Sequence, residues 1–318
     1  MRLRYGGGVY DRTVALLAGI VKPEGVELEY VGGVPNQIFR RMFDTAEFDV
    51  SEMSAGNYLS ALTQGEDRFV GLPIFPSRVF RHGSIFVRTD AGIERPEDLR
   101  GRRVGVPEYG QTANVWVRAI LQHEYGVHAR EIHWVRGDTE KIALQLPPGV
   151  VVEDAPRGVT LSELLERGEI DAVAAPEKPA CFVAGSPRVR RLFPDFPAVE
   201  ADYYRRTGHF PIMHLVVMRR DVYERDRTLP RRLYAAFQAA KAWAYEQLAR
   251  AGTLATSLAF QTAAYEQQLA LLGDDPFAYG VARARATVEA LAGYVYEQGL
   301  ASRVVALEEL FVPELLDT

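Results

Sequence analysis

From Arg2 onward, short apolar strand patterns alternate with helical ones, and that order leaves the chain few folds to choose from. Arg2–Tyr5 reads as a first strand, followed by Gly6–Gly8 and an apolar helix, Val14–Val21, which Asp11 or Thr13 would cap. Val26–Val31 alternates as a strand, Pro35–Phe43 is helical, Phe48–Val50 is a short strand, and Ser54–Leu62 is helical again. Ile85–Val87 and Arg103–Val106 read as strands, and the loop Pro107–Gly110 leads into a helix from about Thr112. Thr160 and Glu163 form a capping box for a helix ending near Gly168, and Asp171–Ala175 is the next strand. Beyond Pro230, Leu233, Phe237, Ala240, Ala244 and Leu248 share one helix face, with Gly252 as a stop. Strands joined through helices pair largely in parallel, because a parallel pair needs a crossover connection. The chain therefore reads as α/β, with parallel-rich sheets and a helical C-terminal tail.

Composition removes several functional classes. With 318 residues, the length suits two α/β units, and a net charge of −5 argues against nucleic acid held by bulk electrostatics. No apolar run is long enough to span a bilayer, so no membrane partner is expected. Cys181 is the single cysteine, which rules out an intramolecular disulfide and a cysteine metal cluster. The opening MRLRYGGGVYDRT has no apolar leader core, and a cytoplasmic address is the expectation. A homo-oligomer is left open.

In parallel sheets, ligands sit beyond the carboxyl ends of strands. Tyr10–Thr13, Ser51–Ser54, Pro107–Thr112 and Pro176–Lys178 are polar clusters at such junctions. The densest cluster lies in FPSRVFRHGSIFV, Phe75–Val87, where Arg78, Arg81 and His82 fall within five residues and run into a strand. A strand mouth does not need two guanidiniums for stability, and a guanidinium's planar fork suits a carboxylate. The cluster points to an anionic ligand.

The blocks VYDRT (9–13), FDVSEMSAGNYL (48–59), FPSRVFRHGSIFV (75–87), GVPEYGQTANVWVRAIL (105–121), GSPRVRRLFPD (185–195) and FPIMHLVVMRRDVY (210–223) together resemble the 4,5-dihydroxyphthalate decarboxylase family. The tail YVYEQGLASR and VALEELF is similar too, so the resemblance runs in order along nearly the whole chain. It implies a fold like that of type II periplasmic binding proteins, with two α/β domains joined by a two-stranded hinge. Residues 1–87 with 213–318 would form the first domain and residues 88–212 the second, with a ligand cleft between them. The implied reaction removes one carboxylate from 4,5-dihydroxyphthalate, a small aromatic dicarboxylate, to give protocatechuate and carbon dioxide. No cofactor is needed if the substrate's own hydroxyl serves as the electron source.

Such a reaction asks for a base at the phenol, an acid at the ring carbon, and cations for two carboxylates. His82 and His214 are the acid/base candidates, since histidine titrates near neutrality. His214, on the expected return crossover, would face His82 across the hinge. Glu52 is the carboxylate expected to orient a histidine or deprotonate a phenol, with Glu108 a second. Arg12, Arg78 and Arg81 are the expected clamps, and Ser54, Ser77, Glu108, Tyr109, Gln111 and Thr112 the expected hydrogen-bonding liners. Phe75, Phe80 and Phe210 are candidates to face an aromatic ring. A metal site could be built from Glu52, His82 and His214, but the sequence holds no metal-ligand spacing signature and no metal is expected. A solute-binding protein for an aromatic carboxylate, or another lyase on the same scaffold, are the rival readings.

Overall fold

The computed structural model describes residues 1–318. Its strands are β1 (Arg2–Gly7), β2 (Glu27–Gly32), β3 (Val50–Ser54), β4 (Phe69–Arg78), β5 (Ile85–Arg88), β6 (Arg103–Val106), β7 (His133–Arg136), β8 (Val151–Asp154), β9 (Ala172–Ala174), β10 (Val189–Arg191) and β11 (Ile212–Arg219). They form two sheets, β2-β1-β3-β11-β4 and β10-β5-β9-β6-β7-β8. Within the first, β1 pairs in parallel with β2 and β3, and β11 runs antiparallel between β3 and β4. Within the second, β9, β6, β7 and β8 are parallel, and β5 and β10 are antiparallel at one edge. The chain leaves the first sheet after β4 and returns through β11. The two crossing segments are tied by the Val79 amide donating to the Pro211 carbonyl at 3.0 Å.

Four helices place the cleft residues: α1 (Asp11–Leu17), α2 (Pro35–Thr45), α3 (Ala55–Thr63) and α4 (Thr112–Tyr125). Past β11 the chain is helical, with Leu229–Leu248 burying Leu233, Phe237, Ala240 and Ala244 as its spacing requires. Leu248 is only half-buried, at the end of that face. Val281–Glu297 packs against both α3 and α4, and Gln298 just beyond it accepts from Arg118 Nε at 2.8 Å and donates to the Val115 carbonyl at 3.0 Å. The helical tail therefore fastens the second unit to the first. No helix is long and apolar enough to cross a membrane.

Four sequence expectations shift. The helix expected over Val14–Val21 runs over Asp11–Leu17, with Tyr10 rather than Asp11 or Thr13 at its N-cap. The strand expected at Phe48–Val50 runs instead over Val50–Ser54, so Glu52 and Ser54 sit on a buried strand rather than in a loop. The ten-residue β4 has no counterpart in the sequence reading, because Pro73 and Pro76 interrupt its pattern. Both prolines lack an N–H for the ladder, and the β4–β11 register breaks on either side of His214. Domain boundaries move as well: a cut after Val87 would split β5, which pairs wholly within the second sheet, and a restart at 213 would detach Ile212 from β11.

Candidate active site

A cleft of about 610 Å³ lies between the two sheets. Tyr10, Ser54, Ser77 and His214 line one wall, Gln111, Thr112, Asp138 and Lys141 the other, and Val79 and Arg81 lie along the crossing segment. The walls meet where the Thr112 hydroxyl bonds Ser54 Oγ at 2.7 Å and accepts from the Gly56 amide at 2.9 Å. Trp116 Nε1 donates to the Ile212 carbonyl at 2.9 Å and pins α4 to β11.

Glu52, from the middle strand of the first sheet, is 0% exposed. Its Oε1 receives His214 Nδ1 at 2.6 Å and the Tyr10 hydroxyl at 2.7 Å, and its Oε2 receives the Gly8 amide at 2.6 Å. Burial alone would raise this carboxyl. The facing His214 charge and hydrogen bond, with the Gly8 amide and Tyr10 hydroxyl, outweigh it and hold Glu52 below the usual carboxylate range. The Tyr10 hydroxyl is pushed well up, first by burial and then by the Glu52 charge, and so stays a donor. His214 stands against Phe39 edge-on at 4.7 Å, part-exposed to the cleft. With Nδ1 committed to the carboxylate, Nε2 is the nitrogen left to accept a proton. The β4–β11 register breaks on either side of His214, whose side chain lines the cleft.

Arg81 is the guanidinium of the cleft. It is 6% exposed, and its Nε reaches Met213 Sδ at 3.1 Å, its one hydrogen-bonding partner. No carboxylate lies within ion-pair distance of it, and burial pushes its guanidinium down to about 10, partly offset by the charges of Glu200 and Glu177. A desolvated guanidinium without an anion is costly unless a ligand supplies one. The N-termini of α2, α3 and α4 open on the same cavity through Asn36, Asn57 and Thr112, and helix N-termini favour anions. Asn57 Nδ2 and Gln111 Oε1 are buried there without partners.

Other expected residues do not line the cleft. His82 is 1% exposed, and its ring packs edge-on against Phe193 and Tyr203, at 5.4 and 5.2 Å, with neither nitrogen bonded. It follows Arg81 in sequence but turns away from the cavity, so it does not face His214. Arg78 donates to the Phe210 and Ala278 carbonyls at 3.2 and 2.7 Å. Arg12 Nε donates to the Pro76 carbonyl at 2.5 Å, and its guanidinium stacks on Tyr10 and Phe277. Both arginines brace the crossing region. Tyr109 is buried under Arg118, 3.7 Å from ring centroid to guanidinium carbon, and Glu108 is buried in an ion pair with Lys141. Phe75 joins the core, and Phe80 stacks on Phe210 at 4.7 Å outside the cleft. The metal set Glu52, His82 and His214 is not assembled, because His82 lies apart from the other two.

The burial of His82 carries a pH signature. Burial, with the Arg206 charge, lowers it to about 4 from an ordinary 6.5. The folded state holds it neutral, so the stabilisation is full above pH 6.5 and is lost as pH falls toward 4, about 3 kcal/mol in all. Thermal unfolding followed across that range should show the loss in wild type and a flattened profile in His82→Leu.

Lys141, Asp138, Tyr10, Asn57 and Glu177 are cleft residues that carried no catalytic assignment in the sequence reading. Tyr10 and Glu177 belong to the polar clusters at strand–helix junctions. Lys141 lies in a stretch between β7 and β8 without secondary structure or periodicity, and had no local signal.

A protein named 4,5-dihydroxyphthalate decarboxylase from Comamonas testosteroni is 40% identical over 324 aligned positions, spanning 100% of this chain and 98% of its own length. The chain belongs to the 4,5-dihydroxyphthalate decarboxylase family. A second protein of that name, from Pseudomonas putida, is 43% identical over 66% of this chain and 83% of its own. An NMT1/THI5 like family model matches residues 13–151. Among solved structures, the periplasmic aliphatic sulphonate binding protein SsuA from Escherichia coli superimposes with a TM-score of 0.55 at 14% identity, over 100% of this chain and 99% of its own. The family's fold is thus of the type II periplasmic-binding-protein kind, as the strand order of the two sheets implies.

Proposed function

We infer that this protein is a carboxy-lyase that converts 4,5-dihydroxyphthalate to protocatechuate and carbon dioxide. The observation that carries the chemistry is a carboxylate-backed histidine and an anion-free guanidinium sharing one cavity; the family names the acid. His214 Nε2 takes the proton of one ring hydroxyl, and Glu52 holds the imidazole's tautomer and stabilises its charged form. Arg81 grips the carboxylate that stays on the ring, and the N-termini of α3 and α4 add to the anion's field. The phenolate then pushes electron density to the ring carbon para to it, where the departing carboxylate is replaced by a proton. Ser54, Ser77, Gln111 and Thr112 serve as hydrogen-bonding liners.

The test is direct. Purified protein incubated with 4,5-dihydroxyphthalate should release protocatechuate and carbon dioxide in equal amounts. Tight binding of the compound with no product over hours would make it a binding protein instead and sink the reading.

A further inference from the structure

We propose that Lys141 is the acid that protonates the ring carbon as the carboxylate leaves, opposite His214. The proposal rests on the decarboxylase reading and names a reactive group that the sequence motifs do not contain. The phenolic oxygen and the carbon para to it lie at opposite ends of the ring. One side chain cannot reach both, so a base on one wall calls for an acid on the other. His214 and Glu52 occupy the first-sheet wall, on β11 and β3. Lys141 and Glu108 occupy the second, on the connections that follow β7 and β6.

The Lys141 side chain is 2% exposed, lines the cleft, and has Glu108 Oε1 as its hydrogen-bonding partner. An ammonium carries three N–H donors, and buried donors are nearly always matched. Two of those on Lys141 have no protein acceptor. Glu108 is 0% exposed, and its Oε2 is also without a partner. The pair is thus buried, with hydrogen-bonding capacity left over and Lys141 at the cavity wall. That suits a proton donor better than a structural tie.

Its position is fixed from both sides. Arg40 Nη2 donates to the Thr139 carbonyl at 3.2 Å, and Gln64 Nε2 to the Ala143 carbonyl at 3.0 Å, so the first unit holds the backbone around Lys141. Glu140 accepts the Tyr109 and Gly110 amides at 2.5 and 3.1 Å, which ties the same segment to the loop carrying Glu108. Lys141 thus lies on an irregular stretch whose backbone is tied down on both sides of it.

The step balances as follows. His214 takes the phenol proton, and the phenolate's electron pair moves into the ring. The para carbon forms a C–H bond with a proton from the Lys141 ammonium, leaving a neutral amine. The C–C bond to the carboxylate breaks, its electron pair restores the aromatic phenolate, and carbon dioxide departs. His214 returns its proton to the oxygen, and Lys141 regains one from solvent.

Reversal of the protonation supplies the test. In D₂O, wild-type protein should exchange the protocatechuate ring hydrogen that lies ortho to the carboxylate and para to a hydroxyl, as read by proton NMR. Lys141→Met should lose that exchange and at least 100-fold in kcat, the low end for a general acid. Its affinity for phthalate, which lacks both hydroxyls, should stay within about threefold by calorimetry, since Arg81 is intact. Because Lys141→Met strands Glu108, the Glu108→Gln/Lys141→Met double variant removes both charges and keeps the fold. It should bind phthalate and be equally inactive. Wild-type exchange rates in either variant would overturn the proposal. So would a collapse of phthalate affinity with turnover restored by Lys141→Arg, which would make the residue a clamp. Absence of turnover in wild type would overturn the decarboxylase reading itself, before any variant is made.

Discussion

Replacing Arg81 by Met should cost the protein its ligand and not its fold. Calorimetric affinity for phthalate should drop, and KM for 4,5-dihydroxyphthalate should rise, by about 30-fold to a few thousand-fold. That span corresponds to the roughly 2–5 kcal/mol lost when one partner of a buried charged pair is removed. The expectation follows from what surrounds the guanidinium. It is buried, its Nε meets a thioether sulfur, and no carboxylate is in ion-pair reach. The fold bears the desolvation of that charge without an internal anion to offset it, and methionine of similar length removes the burden. The unfolding midpoint of Arg81→Met should therefore match or exceed that of wild type. A large fall in midpoint would show that Arg81 holds the crossing segments together. Unchanged phthalate affinity would remove it from the site. Such opposition between stability and binding is common where a site is built from an unpaired charge.

Glu52→Gln should act on the chemical step. Turnover should fall by about 10²–10⁴-fold, the usual range for acid–base catalysis, while phthalate affinity changes much less. Glutamine cannot stabilise the imidazolium that forms when His214 takes a proton, and its amide must present an NH₂ to one of three donors. Those donors are His214 Nδ1, the Tyr10 hydroxyl and the Gly8 amide. The mismatch should also lower the unfolding midpoint, because an unsatisfied buried donor costs about 1–3 kcal/mol. A pH series separates this group from His82. Glu52 is held below its ordinary 4.5, so its contribution is present above pH 4.5 and is lost as pH falls through its lowered value. The His82 contribution begins to fade at pH 6.5. A variant with wild-type turnover would detach Glu52 from the mechanism.

Glu52 and His214 also mark how far the sequence could go. Each was visible alone, one beyond an early strand and one on the return crossover. Their bond joins residues 162 positions apart, and it exists because β11 inserts between β3 and β4. Arg81 was legible for a local reason, since a guanidinium at a strand mouth is hard to explain structurally. Its neighbours Arg78 and His82 had the same signal and point elsewhere. Arg78 ends β4, Arg81 has a ψ of −1°, and His82 opens a 3-10 turn. The three side chains therefore leave the chain in different directions, and the packed crossing region determines which meets the cavity.

The sequence by itself determined the alternation of strands and helices in the first half of the chain, the α/β class and the helical tail, because hydrophobic period and capping residues act over a few positions. It also placed Tyr10, Ser54, Gln111 and Thr112 beyond strand ends, where α/β sheets expose their ligands, and Ser77 beside the arginine cluster that runs into a strand. Tertiary structure alone decided which of these converge. Prolines disguised β4, and the irregular segment around Lys141 has no period to read. Burial turned His82 into a packing residue and left Arg81 desolvated and facing the cleft. Those outcomes depend on the dielectric and on partners supplied by distant segments, which no local pattern of residues encodes.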